Sequence, residues 1–302
     1  MKALLRFKGI AMKKIIFALL LLPLSLLAQL NVAVAYPYIG AVTEKIGGGH
    51  VAVKVLAPGN WDPHFVVPRP SLIAKLRTAD ALIMNGGELE IGWLPALVKR
   101  ANNAKIAGSG TLDLSRHVTL IDVPKEVSRA RGDVHPAGNP HFHLDPHNIL
   151  PIAEAVAAFL AEKDPANAAH YARNLKSFEA AWNERLARWD ETMRAAAGKK
   201  VVQYHGIFNY FLRAYGIESV GTIEPLPGVP PSTKHTVELI DAIRLEGACC
   251  ILHDVYHPTK TAEFISGKTG IPVITLPHDI GALDSVTSLE AFYGFLVKAV
   301  AQ

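Results

Sequence analysis

Cysteine is nearly absent from this chain of 302 residues: there are two, Cys249 and Cys250, and they are adjacent. A disulfide framework and a cysteine-based zinc motif are both excluded by that count. Charge is also sparse, at 19% Asp, Glu, Lys and Arg against 50% hydrophobic residues, which excludes intrinsic disorder. Gly and Pro stand at ordinary levels, so collagen-like repeats are excluded too. No apolar run reaches the ~20 residues that a membrane-spanning helix needs. What the chain has in excess is histidine, 13 residues unevenly spread.

The longest apolar run, residues 15–28, follows Lys13-Lys14 and ends in Ala28 before polar Gln29. A short basic stretch, an apolar run of about 13 residues and a small residue at its end describe a secretory signal peptide. It is assigned to residues 1–28, with Met12 the better start and cleavage near Ala28. Pro23 interrupts the run, which further disfavours a spanning helix. No cysteine follows it, which argues against a lipid anchor. The formal charge of +4 belongs to this segment, because Lys2, Arg6, Lys8, Lys13 and Lys14 all lie in it and no acid does. Residues 29–302 hold 26 basic and 27 acidic residues, a net −1. With no basic–aromatic platform either, nucleic acid is not an expected partner.

From Leu30 onward short apolar runs alternate with helical patterns, the signature of β/α units feeding a largely parallel sheet. Candidate strands are Leu30–Ala35, Val51–Leu56, Asp80–Met84 and Ala104–Ala107. A second set follows at Lys200–Tyr204, Ile217–Gly221, Ala248–Leu252 and Val273–Leu276. The fold class is therefore α/β, with two lobes each built on a mainly parallel four-stranded sheet. Between the sets lies a segment free of internal Gly, with Asp164 suited to the N-cap, Pro165 to the first helical position and Gly198 to the C-terminal stop. Tyr171, Leu175, Phe178, Trp182, Leu186, Trp189 and Met193 recur at steps of three and four, an apolar stripe for packing. A continuous helix here would run roughly 50 Å along both lobes. The expected organisation is a lobe over 29–163, a linking helix over 164–198 and a lobe over 199–302. Residues 109–140, rich in Gly, Pro and charge, read as a loop over the inter-lobe region. Cys249 and Cys250 open an apolar run and read as buried thiols in a strand.

Metal chemistry needs several donors converging from different parts of a chain. His64 lies in Trp61-Asp-Pro-His64, His141 in Asn139-Pro-His-Phe-His-Leu-Asp-Pro146, and His205 directly follows a predicted strand. Asp279 follows the last strand, in Leu276-Pro-His-Asp279. Open α/β sheets bind ligands beyond the carboxyl ends of their strands. Two lobes offering two donors each would make a four-coordinate site of three nitrogens and one oxygen at their interface.

The phrases Asp62-Pro-His64 with Pro68-Arg-Pro-Ser71, Ala79–Gly86 leading to Glu90-Ile-Gly-Trp93, Asn139–Pro146, and His205 near Tyr210 and Tyr215-Gly216 span nearly all of residues 29–302. In that order the chain resembles the periplasmic solute-binding proteins of zinc- and manganese-type ABC transporters, the cluster A-I family. The resemblance implies two α/β lobes on a rigid linking helix, metal ligation by His64, His141, His205 and Asp279, and no catalysis. It implies a monomer that captures Zn²⁺, with Mn²⁺ the lesser candidate, and delivers it to an ABC permease at the inner membrane. His at the third ligand position is the mark of the zinc binders, and imidazole suits zinc. Zinc members often carry a long His/Asp-rich loop, but here that region offers only His117 and His135. Many relatives also have Trp where His143 stands.

Other readings follow from other histidines. His141-x-His143-x-Asp145-x-His147 is one residue longer than a run used by metallo-hydrolases, which makes a zinc hydrolase the alternative of a different class. A manganese-binding or adhesin-like relative of the same fold is the other. His253 or His257 reads as a weak accessory site, and His278 as a substitute for Asp279. His50, His170 and His235 read as surface residues. Glu224–Pro231 resembles the family's second-lobe loop over the cleft.

Overall fold

The computed structural model describes residues 29–124, 135–226 and 228–302. The signal peptide expected over residues 1–28 and the middle of the 109–140 loop lie outside the described residues.

Two four-stranded sheets, all parallel, have the same strand order. The first runs β2(Val51–Val55), β1(Leu30–Val34), β3(Ala81–Met84), β4(Thr111–Asp113). The second runs β6(Glu218–Thr222), β5(Lys200–Gln203), β7(Cys250–His253), β8(Val273–Thr275). Val32, Ala33 and Val34 of β1 are all buried, as expected of a strand covered by helices on both faces. Helices α1(Pro37–Gly47), α2(Pro70–Arg77) and α3(Leu94–Ala101) belong to the first lobe and start on proline at or next to their first position. In the second lobe α6(Asn209–Ala214), α7(Thr233–Glu246) and α8(Lys260–Thr269) flank the sheet, with Ser232 capping α7 through the His235 N–H.

The expected fourth strand at Ala104–Ala107 is instead a single 3₁₀ turn, and β4 begins at Thr111. Asn103 explains the difference. Its carbonyl oxygen accepts from the Lys105 N–H at 3.0 Å while its amide donates to the Leu76 and Ala79 carbonyls. Those local bonds offer the backbone an alternative to the strand ladder.

Helix α4(Ile149–Lys163) leads into the long helix α5(Ala168–Met193), 26 residues or roughly 39 Å. A 3₁₀ turn occupies Pro165–Asn167, so Asp164 does not cap the helix as expected. Its carboxylate accepts from the Tyr171 hydroxyl and the Asn167 amide, each at 2.7 Å. Tyr171, Phe178, Trp182, Leu186 and Met193 of the stripe are buried, against α1, α4 and the C-terminal α9(Leu289–Ala301).

One hydrophobic cluster runs through the first lobe, the long helix and part of the second lobe. A smaller one, built on Val202, Ile223, Ile240, Ile243, Ile251 and Ile265, fills the outer side of the second sheet. Polar ties cross between the lobes: the Tyr210 hydroxyl donates to the Asn139 carbonyl at 2.7 Å and accepts from the Ile121 N–H at 3.0 Å. Gly59 and Ile280 approach so closely that a Cβ on Gly59 would sit 1.8 Å from the Ile280 carbonyl oxygen. Cys250 is buried in β7, but Cys249 is exposed just before it, which corrects the expectation that both thiols are buried.

Candidate metal centre

His64 follows β2 in an Asx turn that its own triplet builds. The Asp62 carboxylate accepts from both the His64 backbone N–H and its Nδ1, each at 2.9 Å. That fixes the tautomer and leaves Nε2 to face the cleft. Burial resists ionisation of Asp62, but its bonds to His64 outweigh it and hold the carboxyl below its usual range.

His141 is placed by the backbone before it. The Asn139 side chain accepts from the His141 N–H at 3.0 Å, and Asn85 donates to the Pro140 carbonyl at 3.0 Å. Asn85 in turn accepts from the Tyr38 hydroxyl at 2.6 Å. The loop after β3 is held by the buried Glu90 carboxylate, which accepts from the Asn85 and Gly86 N–H groups at 2.7 and 3.1 Å. Desolvation pushes that carboxyl up to about 8. Only glycine serves at 86, where φ is +79° and a Cβ would lie 1.7 Å from Asp113 Oδ1. The outcome is a His141 ring that is 1% exposed with neither nitrogen hydrogen-bonded. Burial and the neighbouring imidazoles of His64 and His205 lower its pKa well below the usual value, so it is neutral.

His205 comes from the second lobe, two residues beyond the end of β5. Its Nδ1 pairs with Glu224 Oε2 at 3.0 Å. Glu224 Oε1 lies 3.8 Å from His257 Nε2, and His257 Nδ1 pairs with buried Asp254 at 2.8 Å. A chain of alternating carboxylate and imidazole therefore backs the second-lobe donor. Burial opposes protonation of His257, but the bond and charge of Asp254, with Glu224 beside it, outweigh this and raise its pKa.

One ligand nitrogen from each of His64, His141 and His205 lies within 4.8 Å of the others, with ring centroids 5.1 to 5.9 Å apart. Among the described residues this is the one group of three or more metal-type donors. Zinc bonds to nitrogen of ~2.0–2.1 Å require donors roughly 3.3 Å apart, so a modest contraction of the three rings surrounds an ion. A cavity of about 280 Å³ opens beside His141 and His205, and a smaller one of about 90 Å³ lies on the His64 and His257 side.

Asp279 is not brought into this group. It is buried and its carboxylate accepts from the Ile280 N–H at 2.6 Å, with desolvation raising its pKa well above the usual range. His278 also lies outside the group, its Nε2 bonded to the Trp61 carbonyl at 3.0 Å. The run 141–147 does not converge as a hydrolase would need. His143 stacks on Tyr38 at 4.4 Å and bonds the His278 carbonyl, while His147 pairs with Asp145 and Asp190 beside the long helix. His253 ends β7, fully buried, and His257 serves the carboxylate chain, so the pair forms no separate cluster. His50 and His170 pack edge to face, and His235 bonds the Thr222 carbonyl. Glu224, Asp254 and His257 as the support of His205 were not read from the sequence. No spacing rule links residues 19 to 52 positions apart. Asp62, by contrast, sits two residues before its histidine.

Two parallel-sheet lobes on one long helix, with imidazoles from both lobes meeting between them, define a solute-binding protein with a metal-type site. The comparisons with known proteins give the family. The model of the family described as the zinc-uptake complex component A, periplasmic (ZnuA), matches residues 32–300, and the chain belongs to that family of metal-binding, substrate-binding components of ABC transporters. Its members are not enzymes. Over 259 residues it is 28% identical to the metal ABC transporter substrate-binding lipoprotein FimA of Streptococcus parasanguinis, covering 81% of this chain and 78% of the relative. Over 257 residues it is 28% identical to the manganese ABC transporter substrate-binding lipoprotein PsaA of Streptococcus pneumoniae, with the same two coverages. A crystal structure of ZnuA superposes with a TM-score of 0.78 at 27% identity, covering 90% of this chain and 98% of that one. No helix among the described residues is long and apolar enough to cross a membrane.

Proposed function

We propose that this protein captures Zn²⁺ in the periplasm through His64, His141 and His205 and delivers it to an ABC permease in the inner membrane. In this reading residues 1–28 are a cleaved export signal, 29–163 and 199–302 are the two lobes, 164–198 is the link, and the carrier works as a monomer. The observation that carries it is the convergence of the three imidazoles from both lobes, with the buried His141 ring left without any hydrogen-bond partner. A buried polar group without a partner costs roughly 1–3 kcal/mol, a cost that a bound ion removes.

Zinc is favoured over manganese because neutral imidazole suits zinc while Mn²⁺ prefers oxygen donors. The relatives carry both names: PsaA is named for manganese, and one structure is named for ZnuA. Donor chemistry is therefore the argument. Protons compete for the same nitrogens, so affinity is expected to fall as the solution is acidified.

Elemental analysis of purified residues 29–302 and a competition titration with Zn²⁺, Mn²⁺ and a chelator test the reading. One zinc per chain is expected. Metal bound only to the folded state adds roughly 4 kcal/mol at a thousandfold excess over Kd, so zinc should raise Tm and chelator should reverse the rise. A chain that takes up no metal, or one that prefers Mn²⁺, contradicts it.

A further inference from the structure

The chain's two cysteines are adjacent and stand away from the cleft. Cys250 opens β7 and pairs with Val201 of β5, whereas the cleft lies beyond the other end of these parallel strands. Helix α7 stops at Gly247, in the left-handed region at φ +73°, and the chain enters β7 three residues later. The Cys249 N–H donates to the Lys200 carbonyl at 2.8 Å. Cys249 precedes the first strand residue, so the alternation that sends strand neighbours to opposite faces does not part the pair. Their sulfurs are 3.6 Å apart, both are free thiols, and Cys249 is exposed while Cys250 is buried. We propose that Cys249 and Cys250 form a dithiol site for trivalent arsenicals, arsenous acid or its monosubstituted derivatives, independent of the metal cleft.

Spacing and donor count select this ligand. Sulfur bonds of ~2.3 Å that meet at about 90–110° hold their sulfurs roughly 3.3–3.8 Å apart. A pyramidal arsenic therefore fits the pair with little movement, while a linear ion would spread the sulfurs to about 4.6 Å at that bond length. A tetrahedral cation needs two further protein donors, and among the described residues no group of three or more metal-type donors includes either cysteine. Arsenic brings its own third substituent, so two thiols complete it. Direct closure to a disulfide is disfavoured, because adjacent trans-linked residues hold their Cα atoms about 3.8 Å apart, short of the ~4.4–6.8 Å that disulfides span. Each thiol proton leaves with an arsenic hydroxyl as water, two As–O bonds break, two As–S bonds form, and arsenic stays trivalent. The product is neutral. Burial, and after it the neighbouring Cys249, push the Cys250 thiol above its usual range, which favours a neutral adduct over a dithiolate. Exposed Cys249 is the point of entry.

The test treats residues 29–302 with phenylarsine oxide, which is phenylarsonous acid in water, beside Cys249→Ser and Cys250→Ala. Intact mass should show one phenylarsenic unit per parent chain, with both thiols lost to titration. A dithiol such as 2,3-dimercaptopropanol should strip the adduct, whereas excess monothiol should not. Loss of either sulfur removes the second, intramolecular bond, so retention against monothiol should fall roughly 100-fold or more in each variant. Cooperative thermal unfolding checks the fold of both variants, and Cys249→Ser, on the surface, decides alone if Cys250→Ala does not fold. Three results overturn the assignment: no stoichiometric adduct on the parent chain, an adduct on Cys249→Ser that resists monothiol as the parent's does, or a parent chain isolated two hydrogens lighter with no free thiol. The outcome is independent of zinc capture, which none of these measurements reads.

Discussion

The triplet Asp-Pro-His occurs twice, at Asp62–His64 and Asp145–His147, and folds the same way both times. In each the Asp Oδ1 accepts from the histidine N–H at 2.9 Å and meets its Nδ1, at 2.9 Å in the first and 2.7 Å in the second. Their Nε2 atoms meet different fates. That of His64 faces His141 and His205 in the cleft, whereas that of His147 is taken by Asp190 of the long helix. Two carboxylates make His147 a cation, with the Asp145 bond the largest cause of a pKa raised to about 8. A local motif thus fixes tautomer and ring direction, and the place of the turn in the fold decides between ligand and strut.

The largest effects should separate the two turns outright. His64→Ala or His141→Ala is expected to weaken Zn²⁺ binding by well over the ~100-fold upper range for outer partners, while His147→Ala leaves it within about twofold. Competition titration of the three variants reads this, and equal losses would remove the distinction.

The carboxylates come next. Asp62→Asn and Glu224→Gln should each cost 10–100-fold in zinc affinity, because each orients a ligand imidazole, and Asp145→Asn should cost nothing there. The same titration measures it.

Acidity sharpens the contrast in the metal-free chain. The folded pKa of His147 lies above the unfolded value of ~6.5, so its contribution is fully present below that pH and fades as pH rises through about 8. With its side chain 42% exposed, solvent screening limits this to no more than about 1 kcal/mol. His143 and His278 behave oppositely: burial lowers both to about 4, so the unfolded chain binds more protons and stability is lost as pH falls from ~6.5 towards 4. Thermal unfolding across pH 4–9 should show both limbs, and His147→Ala should flatten only the alkaline one.

The smallest effect concerns the lobes themselves. Tyr210→Phe removes two inter-lobe hydrogen bonds and should cost roughly 1–2 kcal/mol of stability, seen as faster amide exchange at Ile121.

Much of this was legible in the sequence. Alternating β/α patterns gave two parallel sheets, and the aromatic stripe gave the long helix. His64, His141 and His205 each sat beside a strand end or turn, and they converge. What escaped was set by side chains acting on their own backbone or across long separations. Asn103 replaced a strand with a turn, and Tyr171 drew Asp164 away from its cap. His141 and His143 differ by two positions in one phrase, yet one faces the cleft and the other stacks on Tyr38. Their separation follows from the short 3₁₀ turn at Phe142–Leu144, which sequence periodicity did not foretell.

The most direct measurement is a Zn²⁺/Mn²⁺ competition titration of residues 29–302 at pH 7, run beside His141→Ala. A single site that selects Zn²⁺ by orders of magnitude in the parent chain and nearly vanishes in the variant is the predicted result. Preference for Mn²⁺, or full zinc affinity without His141, would contradict an imidazole-built zinc carrier.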